Sequence, residues 1–587
     1  MTPEAHRSAR KEALDAEARE AGARSTRVSL ARLFTFGAAV VFVGTAALGK
    51  QAWAWGVSAA CAVAFAALVV AHARVELARD RLARAARFAE RGLARVRGEL
   101  SRLPPPRATS TDRRATDLDL VGDGSILALL DAMETRESAA RLLSWLLTPA
   151  PPAELRARHQ AIDELAADPA LVERLYVDAG GGDDDVDPLA AARDLSRSVA
   201  APPWLAVVGV ALPPITLGLL IAGDRAGAPA WVGYALLAAQ LALAAAASRH
   251  LSPKLAPALA LARWASRVRP LVDDLGALSA KSSALRAASS RLAAAAHAIE
   301  SLDRLSAWME ARSSAPLAIL LGPLVLYDAH LGRALDRFCR DGAARIADAE
   351  EDLSVVLALA GLATFRFEHP DATLPEVVEG PPSLEAEGLV HPLLPPASRV
   401  ANDVSFDGPG TLLFVTGSNM SGTSTLLRAV GVMAAMAQAG APVTARRARL
   451  SPLVVRTSLR ISDSLARGVS HFYAELQALA ELTARPADEP TLFLLDEILH
   501  GTNSEERIAG ARGVLLHLID GGAMGAVTTH DLGLSVLVDD RPGKVRPVHL
   551  LEHADGDRLV FDYKLRDGLL RSGNALRLMR ALGLPGV

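Results

Sequence analysis

The chain has 587 residues, of which half are hydrophobic and 4% are aromatic, and its formal net charge is −3 at pH 7. This length exceeds one ordinary hydrophobic core, so several domains are expected. The small net charge indicates no particular class of partner. The two cysteines, Cys61 and Cys339, are far apart and argue against a disulfide framework or a cysteine metal site.

The first predicted elements are a charged helix and an apolar hairpin. Residues 1–32 favour a cytoplasmic helix, and they lack the apolar core and cleavage site of a signal peptide. Residues 33–49 and 52–71 carry no charge and are separated by a very short turn. A helix that spans a bilayer needs about 20 largely apolar residues. We therefore predict a first transmembrane hairpin over residues 33–72.

A second apolar pair has the same design. Residues 204–222 and 229–247 are free of charge and are joined by the stretch "GDRAGA". Pro213 and Pro214 are expected to kink the third span, which membrane helices tolerate. Tryptophans near the ends of the spans are typical of the membrane interface. A second transmembrane hairpin is predicted over residues 201–249.

Basic residues set the predicted orientation of both hairpins. Arginines and lysines cluster before the first span, after the second and after the fourth, whereas the two turns carry Lys50 and Arg225. The positive-inside tendency then predicts a multi-pass protein of the inner (cytoplasmic) membrane with all but the turns in the cytoplasm. The alternative is two hairpins buried inside a large helical domain, since alanine-rich segments are only mildly hydrophobic.

Helical regions fill most of the remaining chain before residue 376. Residues 73–119 are predicted as an arginine-rich juxtamembrane helix and a linker. The helix could bind anionic lipid headgroups or nucleic acid, or it could be a solvated helix of mixed charge. Residues 120–200 and 250–375 are rich in alanine and leucine and are predicted to form helices.

The stretch "TLLFVTGSNMSGTSTLLRAV" predicts a strand, a glycine loop and a helix. Gly417, Gly422 and Ser424 fit the Walker A pattern G-x-x-x-x-G-K-[ST], and Thr423 occupies the lysine position. Main-chain N–H groups at a helix start can bind phosphate without a lysine. Arg428, one turn along the helix, is expected to point away. The predicted phosphate-binding residues are Gly417, Ser418, Asn419, Met420, Ser421, Gly422, Thr423, Ser424 and Thr425.

Acidic and histidine side chains follow two later predicted strands. "TLFLLDE" ends in Asp496 and Glu497, and "AMGAVTTHD" places His530 after its strand. A carboxylate at the first strand end could hold Mg²⁺ together with Ser424, and the next carboxylate could polarise an attacking water. His530 could sense the γ-phosphate of a nucleotide.

These stretches resemble the ATPase domain of the MutS family of DNA mismatch-repair proteins. The family loop G-P-N-M-G-G-K-S-T is similar to residues 417–425, including its Asn-Met pair. The family's signature segment is similar to "DSLARGVSHFYAE" over residues 463–475, and the DE and TH segments also match. "HPLL" (391–394) and "ANDVSF" (401–406) resemble the lead-in that lies beside the adenine. Residues 124–168 resemble the start of the family's core domain.

The resemblance implies an α/β P-loop ATPase domain of the ABC/MutS type over residues 376–587, preceded by an all-α core and lever region. It implies ATP and Mg²⁺ as cofactors, with Ser424 and Asp496 as metal ligands and Glu497 and His530 as catalytic residues. Asn402 would lie at the adenine. It also implies a homodimer through the ATPase domains, in which Ser470 reaches the partner's nucleotide.

Three departures from the family pattern bear on function. The F-x-E motif of the mismatch-reading domain occurs near the N-terminus as Phe88-Ala89-Glu90, on the juxtamembrane helix, where it is taken as a coincidence. A membrane hairpin interrupts the core, and no basic clamp module is evident. Thr423 replaces the lysine, which predicts weaker nucleotide binding and slower hydrolysis.

Two functions follow from the sequence. The first is a membrane-anchored, dimeric MutS-like ATPase that contacts membrane lipid and has a possible DNA-binding or mismatch-repair-related role, although reading of mismatches is not expected. The alternative is a non-hydrolysing, nucleotide-binding membrane scaffold that recruits partners.

Overall fold

A computed structural model describes residues 2–49, 51–180, 187–222, 229–313, 322–417, 421–459, 471–486, 488–499, 504–555 and 558–569. Two units are present, and they are described separately. The first unit contains Met1–Val177 and Ala358–Val587, and the second contains Asp178–Leu357.

The first unit begins with a long antiparallel helical hairpin. Helix α1 spans Pro3–Gly49 and α2 spans Ala52–Arg97, and α2 ends at Gly98 in a left-handed conformation. The Ser25 hydroxyl donates a hydrogen bond to Glu76, and the Ser58 hydroxyl donates to the Ala39 carbonyl at 3.1 Å. We call residues 3–32 and 73–97 the charged stalk of the hairpin, and residues 33–49 and 52–72 its apolar tip. The two bonds fix the pairing of the helices in the stalk and in the tip.

The apolar tip of this hairpin is exposed. In the most hydrophobic stretches of α1 and α2 only 6% and 11% of the residues are buried, and side chains such as Phe34 and Trp53 are at least 60% exposed. This exposure is the reverse of what a hairpin inside a helical domain would show. The helices also continue without a break across positions 32/33 and 72/73, because a change of hydropathy does not by itself end a helix.

Short helices follow the hairpin in the first unit. Asp112, Ser125 and Thr135 each accept a hydrogen bond from a main-chain N–H at the start of the helix they precede, which is the ordinary N-cap arrangement. The helices are α3 (Arg113–Asp117), α4 (Ile126–Leu130), α5 (Arg136–Leu147), α6 (Pro152–Ala166) and α7 (Pro169–Ala179).

The α/β part of the first unit contains two sheets. A four-stranded sheet has the order β1-β5-β2-β3, and a six-stranded sheet has the order β10-β9-β4-β8-β7-β6. The strands are β1 (Glu376–Val377), β2 (Leu384–Leu389), β3 (Asn402–Phe406), β4 (Leu412–Thr416), β5 (Arg447–Leu450), β6 (Val454–Ser458), β7 (Thr491–Asp496), β8 (Met524–Thr529), β9 (Val545–Asp555) and β10 (Arg558–Asp567).

Five strands of the larger sheet run parallel. Strands β6, β7, β8, β4 and β9 are parallel neighbours, and β10 pairs with β9 in the antiparallel sense. Every residue of β4 and β8 is buried, as expected for central strands covered on both faces. The helices of this region are α15 (Thr423–Ala439), α16 (His471–Thr483), α17 (Ser504–Asp520) and α18 (Val536–Asp540).

The second unit is helical in its described residues. It contains an apolar pair, α9 and α10, and α9 continues through Pro213 and Pro214. The amine of Lys254 on α10 is buried and pairs with Asp336 on α13. The helices are α8 (Pro188–Arg197), α9 (Pro203–Ala222), α10 (Ala230–Gly276), α11 (Ser283–Ser313), α12 (Gly322–Leu324) and α13 (Tyr327–Asp341), and α14 (Ala343–Glu368) ends in the first unit.

Four of the described helices, α1, α2, α9 and α10, are long and apolar enough to cross a membrane by length and composition. The cysteines Cys61 and Cys339 are free thiols. Phe88 is 1% exposed and stacks on Tyr176 at a ring-centroid distance of 4.8 Å. Because Phe88 is a core residue, its F-x-E sequence cannot insert beside a base.

Candidate functional site

The glycine loop lies between the buried strand β4 and the first turn of α15. Gly417 has no room for a side chain, since a Cβ there would lie 2.5 Å from Ser421 Oγ. Gly422 has a φ of +95° and forms the N-cap of α15, which begins at Thr423. Ser421 Oγ is buried and has no hydrogen-bond partner among the described residues. The described ends of the loop, Gly417 and residues 421–422, therefore leave little space for side chains and present one unused hydroxyl at a helix start.

The two acidic residues lie at the same edge of the sheet as the glycine loop. Thr416, the last residue of β4, is in register with Thr529 of β8, and Asp496 of β7 is in register with Thr528. The carboxyl ends of three adjacent parallel strands therefore carry Gly417, His530 and Asp496. The structure thus places these three positions at one edge of the sheet.

Hydrogen bonds connect the polar groups at this sheet edge. The Thr528 hydroxyl donates to Asp496 Oδ1. His530 Nδ1 lies 3.2 Å from Glu497 Oε1. Both members of this second pair are partly exposed, with 47% and 35% of their side chains accessible. An acidic residue whose carboxylate contacts a histidine at an open strand end can orient a water molecule for attack.

The backbone that carries Glu497 has an unusual conformation. Glu497 and Leu499 have φ values of +54° and +61°, in the left-handed region that non-glycine residues seldom adopt. The Glu497 N–H donates to the Thr528 carbonyl at 3.1 Å. Such conformations occur preferentially at functional sites, where the surroundings hold them in place.

A cavity of about 390 Å³ opens at the start of α15. Its lining includes the first residues of α15, the segment around His391, Asn402 on β3, Leu550 on β9 and Tyr563 on β10. The lining residues used below are His391, Asn402, Gly422, Thr423, Ser424 and Tyr563. The volume and the mixed apolar and polar wall suit a small organic ligand. The two stretches predicted to lie beside an adenine are thus brought to the glycine loop.

Tyr563 is a site residue that the sequence analysis missed. It lies in an irregular part of β10, with a φ of +52°, and its ring would contact any side chain placed at Gly422, at 2.9 Å. The Asn402 side chain holds this irregularity from both sides. Its amide donates to the Tyr563 carbonyl at 2.9 Å, and its oxygen accepts from the Leu565 N–H at 2.8 Å.

Asn402 therefore lines the cavity while both ends of its amide are bonded to β10. Its predicted place beside the ligand is compatible with the structure, and its hydrogen bonds add a role in orienting Tyr563. No local pattern could have revealed this pair, because the two residues are 161 positions apart.

Burial keeps the histidine in the cavity wall neutral. The pKa of His391 is lowered to about 4, mainly by desolvation; Asp119 opposes this shift, and the charges of Arg428 and Arg399 add to it. The Leu393 N–H donates to His391 Nδ1 at 3.3 Å, so the proton resides on Nε2. Arg428 lies outside the set of cavity-lining residues.

Some predicted site residues are outside the described part of the chain. They are Ser418, Asn419 and Met420 of the glycine loop and Ser470 of the signature segment. The described site residues are Gly417, Ser421, Gly422, Thr423, Ser424, Thr425, Asn402, Asp496, Glu497 and His530.

A metal ion at this site would need oxygen ligands beyond the protein. Within the described ranges, no group of three or more His, Cys, Asp or Glu side chains is placed to hold a metal. Ser424 and Asp496 could supply two oxygens, and Mg²⁺ usually completes its shell with water and substrate phosphates. The unused Ser421 hydroxyl and the glycine backbone at Gly417 also fit a phosphate group.

Comparisons with known proteins find a family model and several relatives that match part of the chain. Residues 413–587 match the family model described as MutS domain V. An Endonuclease MutS2 from Thermomicrobium roseum is 33% identical over 275 residues, which cover 43% of this chain and 34% of the relative. A DNA mismatch repair protein MutS from Anaeromyxobacter sp. (strain K) is 36% identical over 252 residues, covering 41% and 27%.

A third relative gives a similar result. A DNA mismatch repair protein MSH3 from Phaeosphaeria nodorum is 33% identical over 263 residues, covering 43% of this chain and 23% of the relative. The chain thus spans about a third or less of the length of these curated relatives.

The fold and the site define a protein class: a largely helical chain that ends in an α/β domain, with a glycine loop and acidic residues at one edge of a mainly parallel sheet. Residues 413–587 of the chain match MutS domain V, and the relatives it is similar to are MutS, MutS2 and MSH3 proteins.

Proposed function

We propose that the protein is a membrane-anchored MutS-like ATPase that works as a dimer and binds ATP with Mg²⁺. The observation that carries the proposal is the convergence of three adjacent strand ends. The glycine loop, Asp496 and His530 meet there, and Glu497 contacts His530 at 3.2 Å. Strand, glycine loop and helix in this order form the setting of a phosphate loop.

Each residue then has a defined task. Main-chain N–H groups from Gly417 to Thr425 and the N-terminus of α15 bind the phosphates. Ser424 and Asp496 would hold a metal ion, and such an ion would supply positive charge beside the phosphates. Glu497 orients the attacking water, with His530 fixing its carboxylate. Tyr563 and His391 line the cavity that receives the base.

The absent lysine sets the expected level of activity. Thr423 lines the cavity but carries no charge to pair with the β- and γ-phosphates. A charge-assisted hydrogen bond contributes about 1.5–3 kcal/mol, so loss of the ammonium weakens binding by about tenfold or more. The backbone amides remain. Weak nucleotide binding and slow turnover are therefore expected.

Glu497→Gln tests the proposal. In the purified, detergent-solubilised protein, this change should abolish ATP turnover while leaving ATP bound, because the amide cannot activate water but keeps the shape of the side chain. Bound nucleotide and released phosphate are measured in parallel, and light scattering follows dimer formation. The matched control is Glu505→Gln, an exposed acid in the first turn of α17. Equal turnover in Glu497→Gln and wild type would contradict the ATPase proposal.

A second candidate function is a nucleotide-binding scaffold without hydrolysis. Thr423 in the lysine position favours it. Thr423→Lys separates the two functions. If the wild type turns over ATP and the variant is faster, the protein is an ATPase with a weakened site. If the wild type has no turnover and the variant gains it, the natural protein is a binding module, and the ATPase proposal is wrong.

A role in DNA binding also remains a proposal. Basic residues on the stalk of the α1–α2 hairpin could attract phosphate backbones without reading sequence. We expect any affinity for duplex DNA to fall steeply with salt and to be equal for perfect and mismatched duplexes, as measured by fluorescence anisotropy. Tighter binding to a mismatch would show a reading function that the described residues do not suggest.

A further inference from the structure

A buried carboxylate next to the site has no task in the proposed mechanism. Glu475 lies on α16 and is 2% exposed. Its Oε1 accepts a hydrogen bond from the main-chain N–H of Leu499. Its Oε2 is buried and has no hydrogen-bond partner among the described residues. A buried acidic group is expensive to retain unless its acceptor oxygens serve a purpose.

The turn that Glu475 contacts carries Glu497. Strand β7 ends at Asp496, and two of the next three residues, Glu497 and Leu499, have left-handed φ values of +54° and +61°. Neither is a glycine, so the backbone does not hold this shape by intrinsic preference. Contacts from the surrounding structure must hold it.

Three kinds of contact hold the turn. The Glu497 N–H donates to the Thr528 carbonyl at 3.1 Å and approaches the Thr528 hydroxyl at 3.3 Å. Ile498 and Leu499 are each 5% exposed and belong to the core between the sheet, α16 and α17. A Leu499 methyl lies so close to Gly510 that a Cβ there would be 2.8 Å away. The remaining contact is the bond from the Leu499 N–H to Glu475.

We propose that Glu475 is a positioning residue: it fixes the Glu497–Leu499 turn and thereby aims the Glu497 carboxylate at the attacking water. This inference rests on the proposed ATPase function. Glu475 acts through the backbone and does not touch nucleotide. Without its acceptor, the buried Leu499 N–H loses its partner, and the left-handed turn can relax. The Glu497 carboxylate then moves away from His530.

Four variants test the inference in the full-length, detergent-solubilised dimer. Glu475→Leu removes the acceptor, and Glu475→Asp keeps the charge but withdraws the oxygen by one methylene. Glu475→Gln keeps both the length and an acceptor oxygen. Glu481→Leu is the control, an exposed acid on the same helix. The readouts are kcat, the Kd of a fluorescent ATP analogue, and hydrogen–deuterium exchange over residues 494–499 in nucleotide-free protein.

The expected pattern is a loss of kcat without a loss of binding. Small displacements of a catalytic group reduce rates by about 10- to 100-fold, so we expect that loss for Glu475→Leu and Glu475→Asp. The Kd of the ATP analogue should stay within about twofold of the wild-type value, because Glu475 does not contact the nucleotide. Glu475→Gln should restore kcat to within about threefold of wild type. Exchange at residues 494–499 should rise in the Leu and Asp variants alone.

Other outcomes overturn the inference in recognisable ways. If wild type turns over ATP and the Leu and Asp variants match it, Glu475 has no positioning role, and the ATPase proposal stands. If kcat falls and Kd rises in the same variants, Glu475 is a general structural residue. If wild type has no turnover, the positioning role fails together with the proposed hydrolysis. Should Glu475→Leu not fold, Glu475→Asp decides between these results.

Discussion

At the scale of single residues, the burial of His391 predicts how the stability of the protein depends on pH. Burial lowers its pKa to about 4 from an ordinary value of 6.5. Between these two values the unfolded chain binds more protons than the folded chain, so the free energy of unfolding decreases as pH falls from 6.5 to 4. The stabilisation from neutral His391 is fully present above pH 6.5.

The substitution His391→Asn should make the free energy of unfolding less dependent on pH. The asparagine cannot take up a proton, and its oxygen can still accept from the Leu393 N–H. We expect the melting temperature of the variant to fall less steeply than that of wild type between pH 6.5 and 4, as measured by scanning fluorimetry. His517→Asn, an exposed histidine on α17, should keep the wild-type slope. Parallel slopes for His391→Asn and wild type would contradict the assigned burial.

The residues show which parts of the site the sequence could predict. Strand β4, the glycine loop, and the placement of Asp496 and His530 follow from local patterns and from the rule that parallel strand ends share an edge. The role of Tyr563, and that of Glu475 at the end of the signature-like segment, could not be predicted, because they depend on partners 161 and 24 positions away and on left-handed turns at non-glycine residues. Neither kind of contact leaves a periodic signal.

At the scale of secondary structure elements, a buried ion cluster joins the α1–α2 hairpin to the end of α14. Glu368, the last residue of α14, has no exposed side-chain surface. Arg7 of α1 contacts it at 2.8 Å, and Arg95 of α2 contacts it at 2.6 Å. Both arginine side chains are at most 3% exposed. The cluster thus ties both helices of the hairpin to one carboxylate.

Removing that carboxylate should detach the hairpin. Glu368→Gln leaves two buried guanidinium groups without a counter-charge, which destabilises a protein by about 3–5 kcal/mol. We expect faster proteolysis and faster hydrogen–deuterium exchange along the stalks of α1 and α2. The control is Glu4→Gln, which breaks an exposed ion pair with Arg97 at 2.8 Å. Exposed pairs contribute about 0–1 kcal/mol, so the control should behave as wild type. Equal exchange in both variants would refute the role of the cluster.

The elements also show that a change of hydropathy need not coincide with the end of a helix. The sequence placed a boundary at residue 32, where charge gives way to apolar side chains. In the structure α1 is one helix over Pro3–Gly49, because its residues keep good helix propensity on both sides of that point. The side chains of α1 change from charged to apolar along the helix, but the helical backbone is continuous.

At the scale of the whole molecule, the exposed apolar helices support the proposal of membrane anchoring. The hydrophobic stretches of α9 and α10 are 18% and 17% buried, similar to those of the first hairpin. Exposed apolar surfaces of this extent are unfavourable in water, and lipid would cover them. Basic residues beside the first hairpin tip, such as Arg27 and Arg74, are exposed and could meet anionic headgroups.

Cysteine labelling checks the proposed topology. In a Cys61→Ala, Cys339→Ala background, Gln51→Cys places a thiol at the exposed start of α2, and Arg19→Cys places one on the stalk. A membrane-impermeant maleimide added to intact cells should label the first and spare the second until the cells are opened. Equal labelling of both positions, or recovery of the protein in the soluble fraction, would contradict membrane anchoring.

The unbroken length of α1 has a mechanical consequence. A helix of 47 residues extends about 70 Å at 1.5 Å per residue. Arg7, which is held in the ion cluster, lies near one end, and the apolar tip forms the other. A rigid rod of this length turns a tilt of about 5° at its base into a movement of about 6 Å at its far end. Small motions next to the α/β domain would therefore reach the far end of α1 greatly enlarged.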